Sequence, residues 1–282
     1  MREFYIENEI GERRSLQYSN VFFNDPKGLG FTQNNQYVKA SDGFFETVDS
    51  SYEQPNIVGD LIFSRNQYEE YKSLIDWLFQ GYKLKFVYKP LSEEFYMDVQ
   101  FNLIDKGEIK ERRLPCPVSI SGLSPWYQRG HVEFKFTAPT VGNTAKYPCK
   151  YPARYTLSSA SSAIEIEVDG HFPAEIYFEC PGTLVHPVLT LKNKYTGKIY
   201  GKLDLSALTF APTDTLIYSS MSGNTGVWKL TDGVLTELNQ YNVLDNNFFK
   251  IPTRTPCILT LGIGNTMDST AEVQVYRYFR SV

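Results

Sequence analysis

The side chains that could carry acid–base, nucleophilic or metal chemistry are three histidines, four cysteines and thirty-two carboxylates, and their spacing decides what they can do. His131, His171 and His186 stand far apart, and none sits in an HExxH or similar pattern, so none reads as a metal ligand or a general base. Cys116, Cys149, Cys180 and Cys257 form no CxxC pair, which argues against metal and for reduced thiols in a cytosol-made protein. There is no G-x-S-x-G elbow and no P-loop. Gly262-Ile263-Gly264 matches only a fragment of a dinucleotide fingerprint and lies between strand-like runs, so it reads as a tight turn. Carboxylates are plentiful, but their spacing singles out no pair facing one cleft. These residues predict no catalysis, no cofactor and no bound metal.

Charge closes further classes. Residues 1–140 carry 16 basic and 20 acidic side chains, and the rest of the chain is balanced, giving the net −4. Neither half has the cationic surplus that a phosphate backbone requires. The most basic run, KGEIKERR at 106–113, alternates its cations with glutamates and reads as a solvated hairpin. No stretch is long and apolar enough to span a membrane, and MREFYIENEIGERR at the start reads as strand, turn and strand rather than as a signal peptide.

The elements that must position any site are nearly all strands. The exception is residues 65–80, where Tyr68, Tyr71, Leu74, Ile75, Leu78 and Phe79 recur at spacings of three and four and predict one helical stripe. Ser64 and Gln67 suggest a capping box before it, and Gly81 a stop after it. Around this helix lie strand signals: FYIE, RSLQY, FFETV after the Asp42-Gly43 turn, NIVGDLIF, KLKFVYK, EFYMDVQFNLI, CPVSISGLSPWY and HVEFKFTAP. Residues 24–42 are rich in Gly, Asn and Lys and predict a long loop or extended arm.

Residues 138–152, with three prolines and no periodicity, mark a boundary, and the expected division is a domain at 1–140, a linker at 141–152 and a second domain at 153–282. Beyond the linker the helix signal vanishes. Short alternating runs such as AIEIEV, and the Asp232-Gly233 hairpin signal, predict a jelly-roll β-sandwich. The fold class is mainly β, with two β domains, the first carrying one flanking helix.

Three segments resemble the distal tail protein family of long-tailed phages. GLGF at 28–31, followed by the helix and then PVSISGLSPWYQ at 117–128, is similar to that family's N-terminal domain. DGHFPAEIYFECPGTLVHPVLTLKN at 169–193 resembles the start of its galectin-like domain. DLSALTFAPTDTLIYSS at 204–220, with NVLDNNFFKIPTRTPCILTLGIGN at 242–265, resembles that domain's later strands. A departure is Pro252-Thr253-Arg254-Thr255-Pro256, where the family usually has Pro-Gly.

The resemblance implies a tail-tube-like β-sandwich or barrel that closes a homohexameric ring, and a galectin-like jelly-roll sandwich that projects outward. Implied partners are further copies of the chain, the tail tube protein, the tail-associated tip protein, and receptor-binding or upper baseplate proteins. DNA would pass the ring unread, and no membrane insertion is implied. The product would be made in the host bacterium's cytoplasm and would end in the virion.

Closed rings need two complementary surfaces per subunit, enriched in aromatics. Gly28, Leu29, Gly30, Phe31 and Tyr37 on the arm, with the strand-end Trp126 and Tyr127, are the interface candidates. Trp126 has a second role open to it, that of capping its own core. The competing function is a non-catalytic carbohydrate-binding sandwich. Against that reading, the galectin-type His-Asn-Arg-Trp order is absent, and Trp228 has no neighbouring Arg.

Overall fold

A computed structural model describes residues 2–17, 20–136, 160–241, 248–263 and 269–282. The expected linker at 141–152 lies outside these residues, as does part of the family-like segment 242–265. The chain divides into two compact units, one of Met1–Gln128 with Tyr278–Val282 and one of Arg129–Arg277.

The first unit holds β1 (Glu3–Asn8), β2 (Arg13–Ser15), β3 (Val21–Lys27), β4 (Gln33–Ser41), β5 (Phe44–Tyr52), β6 (Asn56–Phe63), α1 (Gln67–Leu78), β7 (Leu84–Lys89), β8 (Phe95–Ile104), β9 (Leu114–Gly122) and the start of β10 (Trp126–Phe136). All its pairings are antiparallel: β2–β1–β7–β8–β9–β6–β3 in sequence of contact, with β10 also against β8. The alternation of β1 shows why. Phe4 and Ile6 are wholly buried, while Glu3 and Tyr5 face the other way. Phe4, Phe23 and Phe86 meet edge-on or tilted at 5.5–6.0 Å between centroids, which is the favoured geometry of aromatic quadrupoles.

Helix α1 is present but shorter than the expected 65–80, and its start differs. Its N-cap is Asn66, held left-handed at φ 44° with no side-chain cap bond. The Ser64–Gln67 box does not form. The Ser64 N–H donates to the Asn20 carbonyl rather than to Gln67, whose amide donates to the Arg112 carbonyl at 2.8 Å and to the Ser64 carbonyl at 3.4 Å. Asn tolerates the left-handed region and takes the place of the cap. The buried stripe is Leu74, Trp77 and Leu78; Tyr68 and Phe79, expected in it, are exposed. Lys106 sits 4.4 Å above the Tyr68 ring, a cation–π contact that covers an aromatic left outside the core.

The second unit continues β10 and adds β11 (Ala160–Ile166), β12 (Phe172–Pro181), β13 (Leu184–Val185), β14 (Val188–Asn193), β15 (Ile199–Asp204), β16 (Thr209–Phe210), β17 (Asp214–Met221), β18 (Asn224–Thr231), β19 (Val234–Glu237), β20 (Cys257–Ile263) and β21 (Ser269–Phe279, its last two residues belonging to the first unit). One sheet runs β11–β20–β14–β15, and another carries β19–β18–β17–β12–β21. Alternate residues of both, among them Ile176, Phe178, Leu189, Leu191, Leu259, Leu261 and Val273, fill one core. Asp232 and Gly233 at φ 50° and 81° close the β18–β19 hairpin, because a two-residue turn of this hand needs positive φ twice.

Candidate assembly surface

The residues with chemical potential are not brought together. Cys116, Cys180 and Cys257 are buried apart as free thiols, and burial pushes the Cys180 thiol up to about 12, far from a reactive thiolate. Cys149 lies outside the described residues, as does the His131 side chain. His186 is exposed, its ring against the Ser206 carbonyl. Among the described residues no three His, Cys, Asp or Glu side chains are placed to hold a metal ion. KGEIKERR closes a tight turn through paired Lys110 and Arg113, with Glu111 and Arg112 at positive φ.

What the first unit presents instead is an arm. β4 and β5 pair with one another alone, as a two-stranded ribbon of nine residues a side, joined by Asp42-Gly43 with Gly43 at φ 85°. At ~3.3 Å per residue the ribbon extends roughly 30 Å. Nearly every residue on both strands is exposed, including large apolar ones: Tyr37, Val38, Phe44 (70%), Phe45 (67%) and Val48. Where the register is regular, Tyr37, Lys39, Phe45 and Thr47 share one face, and Val38 and Glu46 share the other. Register slips at Gln36/Tyr37 and Lys39/Ser41 break the alternation. Polar bonds secure the base: Asn35 Oδ1 accepts from Ser50 Oγ at 2.8 Å and from Gln33 Nε2 at 3.0 Å, and Glu53 N–H donates to the Thr32 carbonyl.

The sequence candidates divide along this geometry. Gly28 and Leu29 anchor the arm. Gly28 has φ 84°, and a Cβ there would stand 1.9 Å from the Asn56 carbonyl oxygen, so only glycine fits. Leu29 packs half-buried on the first unit's core. Gly30 stands in open space, and Phe31 and Tyr37 are exposed on or near the ribbon. Trp126 and Tyr127 lie inside the unit at 0% and 4% exposure. Trp126 packs edge-on to Phe86 and tilted to Tyr88, capping its own core. Tyr127 stacks on Tyr96 and donates to Asp98. Phe44, Phe45 and Val48 lie in FFETV, which the sequence presents as an ordinary strand and the fold makes the arm's second strand. The Asp42-Gly43 turn just ahead of the β-prone FFETV run is the available signal.

Residues 3–123 match the family model for the distal tail protein, N-terminal domain. The first unit thus carries a distal tail protein N-terminal domain. Among solved structures, the chain is similar to a chain of the phage P2 baseplate in its activated conformation with Ca, at 13% identity over 100% of both chains and a TM-score of 0.67. It is similar to the SPP1 Dit protein at 8% identity over 96% of this chain and 98% of that one, with a TM-score of 0.60. At these identities the likeness shows a shared fold. Among curated proteins none matches. The domain the first unit carries is that of a structural phage tail component.

Proposed function

We propose that the whole chain is a distal tail protein of the virion, a non-catalytic hub subunit that closes a homohexameric ring between tail tube and tip protein. Domain 1–140 forms the ring, and domain 153–282, a galectin-like sandwich, carries receptor-binding or upper baseplate proteins. The observation that supports this reading is the arm: a two-stranded ribbon with apolar side chains exposed on a body that is otherwise well packed. Isolated two-stranded ribbons are marginal in water. Burying five large apolar side chains at roughly 1.5–3 kcal/mol each against a neighbour is enough to order it. The contact is heterologous, arm into body, which is what a closed ring needs. Gly28, Leu29, Gly30, Phe31 and Tyr37 belong to it; Trp126 and Tyr127 support it from within the core.

Because β3 pairs with β6, the arm is best removed without touching residues 24–28. Gln33 and Tyr52 are cross-strand partners, so Asn-Gly in place of residues 34–51 closes the ribbon at its base. Native mass spectrometry of the full-length protein is expected to show hexamers, and of the shortened form monomers with the second unit folded. Hexamers that survive the excision overturn the role of the arm.

A further inference from the structure

The outer face of the second unit's β19–β18–β17–β12 sheet gathers groups that neither its core nor the ring uses. Trp228 is the only tryptophan of this unit, and alternation points it away from the core that holds Val227. It is half-buried, and its ring lies against Gly226, where a Cβ would come within 2.3 Å of it; the missing side chain lets the indole lie low on the sheet. The indole N–H has no partner among the described residues.

Register places a carboxylate on either side of this ring. Trp228 stands opposite Glu237 on β19 and opposite Ile217 on β17, and Ile217 stands opposite Glu179 on β12. In the next row Gly226, Ser219 and Tyr177 are aligned, and the Tyr177 hydroxyl donates to Glu179 at 3.3 Å. With strands about 4.8 Å apart, Glu237 lies one strand from Trp228 and Glu179 lies about 10 Å away on the other side. Asn239 donates its amide to Glu237, which leaves the second carboxylate oxygen open. Neither glutamate is in an ion pair among the described residues. Leu230 and Leu235 form an apolar rim at the sheet's free edge.

We propose that this face binds a neutral saccharide, with one ring stacked on Trp228 and its hydroxyls donating to Glu237 and Glu179. The apolar face of a sugar ring matches a flat indole, and charge-assisted O–H···O⁻ bonds to flanking carboxylates fix its orientation. Two unpaired carboxylates repel phosphate-bearing polymers, so the ligand class is neutral glycan rather than anionic polymer. This site is independent of ring closure and is expected to persist in the form that lacks the arm.

The test is titration of the full-length protein with glucose, galactose, rhamnose and N-acetylglucosamine, each as monomer and short oligomer, with polyglycerol phosphate as the anionic probe. Tryptophan fluorescence and calorimetry are the readouts. The expected result is saturable binding of a neutral sugar that is lost in Trp228→Ala and weakened about tenfold in Glu179→Gln and Glu237→Gln. Glu237 is exposed, so its variant folds and keeps the test open if Trp228→Ala does not. No saturable response to any neutral probe overturns the site. So does a response that survives Trp228→Ala, a preference for polyglycerol phosphate, or a face that captures a tail protein with no response to sugar.

Discussion

The β4–β5 ribbon and the β17–β18 hairpin are both long antiparallel pairs rich in aromatic and β-branched residues, yet they end in opposite environments. In β17, Leu216 and Tyr218 enter the core and are all but sealed from solvent; in β4 and β5 almost nothing is buried. Their neighbours account for the difference. β17 pairs with β12 as well as with β18, and Leu216, Tyr218 and Val227 pack into the unit's core. The ribbon has no third strand, and its consecutive residues Tyr37–Val38 and Phe44–Phe45 alternate onto opposite faces. A strand pair with one apolar face stabilises its own domain. One with two apolar faces and no third strand is stabilised by what it later touches.

The largest effect that would sharpen this contrast lies in the body beneath the arm. Trp126→Ala is expected to destabilise the first unit by about 3–5 kcal/mol, the usual loss for a buried large aromatic. Urea denaturation checks it. A variant as stable as the parent, yet impaired in assembly, would return Trp126 to the interface.

Next comes the hinge of the arm. Gly28→Ala puts a Cβ into the Asn56 carbonyl and holds a non-glycine residue at φ 84°, so a loss of about 1–3 kcal/mol is expected. A thermal melt that does not shift would show that the arm's root relaxes freely.

Much of this was legible in the sequence. The one α-helix among the described residues, the Asp232-Gly233 turn and the strand-rich second half rest on local signals that packing did not override, whereas the helix ends at Leu78, ahead of the expected stop at Gly81. The capping box was not legible, because Ser64 is claimed by Asn20 and Gln67 by Arg112, partners far off in sequence. Trp77 fell outside the expected stripe because the observed face centres on Leu74 and Leu78. The sequence marks residues 24–42 as an extended segment but does not join the arm's second strand to it. Gln33–Ser41 is too polar to announce a strand, and only pairing to Phe44–Tyr52 makes it one. Trp126 carried two roles at sequence level, and the choice depended on Phe86 and Tyr88 closing over it.

A smaller effect tests the second unit's own electrostatics. Lys202, followed by the Ser206 hydroxyl and then its backbone N–H, holds the Asp204 carboxyl down at about 2. A carboxylate with its pKa depressed in the folded state contributes stability above its ordinary value, and that contribution is lost as pH falls toward the folded value. Asp204→Asn is therefore expected to flatten the fall in melting temperature between about pH 4 and pH 2. An unchanged slope would show that other carboxylates dominate the acid limb.

The smallest stability effect is expected where the assembly effect is large. Tyr37, Phe44 and Phe45 touch little within their own subunit, so replacing all three by serine should move the unfolding free energy by no more than about 0.5 kcal/mol per site. The same triple change removes the apolar surface that a neighbour would bury, at roughly 1.5–3 kcal/mol for each side chain. Association should then fall by several orders of magnitude while the melt hardly shifts. Sedimentation across a concentration series, run beside a melt of the same sample, separates the two quantities. A triple variant that unfolds easily would mean the arm packs on its own body. One that assembles normally would mean its aromatics stay in water, and the contrast between the two hairpins would then say nothing about how the ring closes.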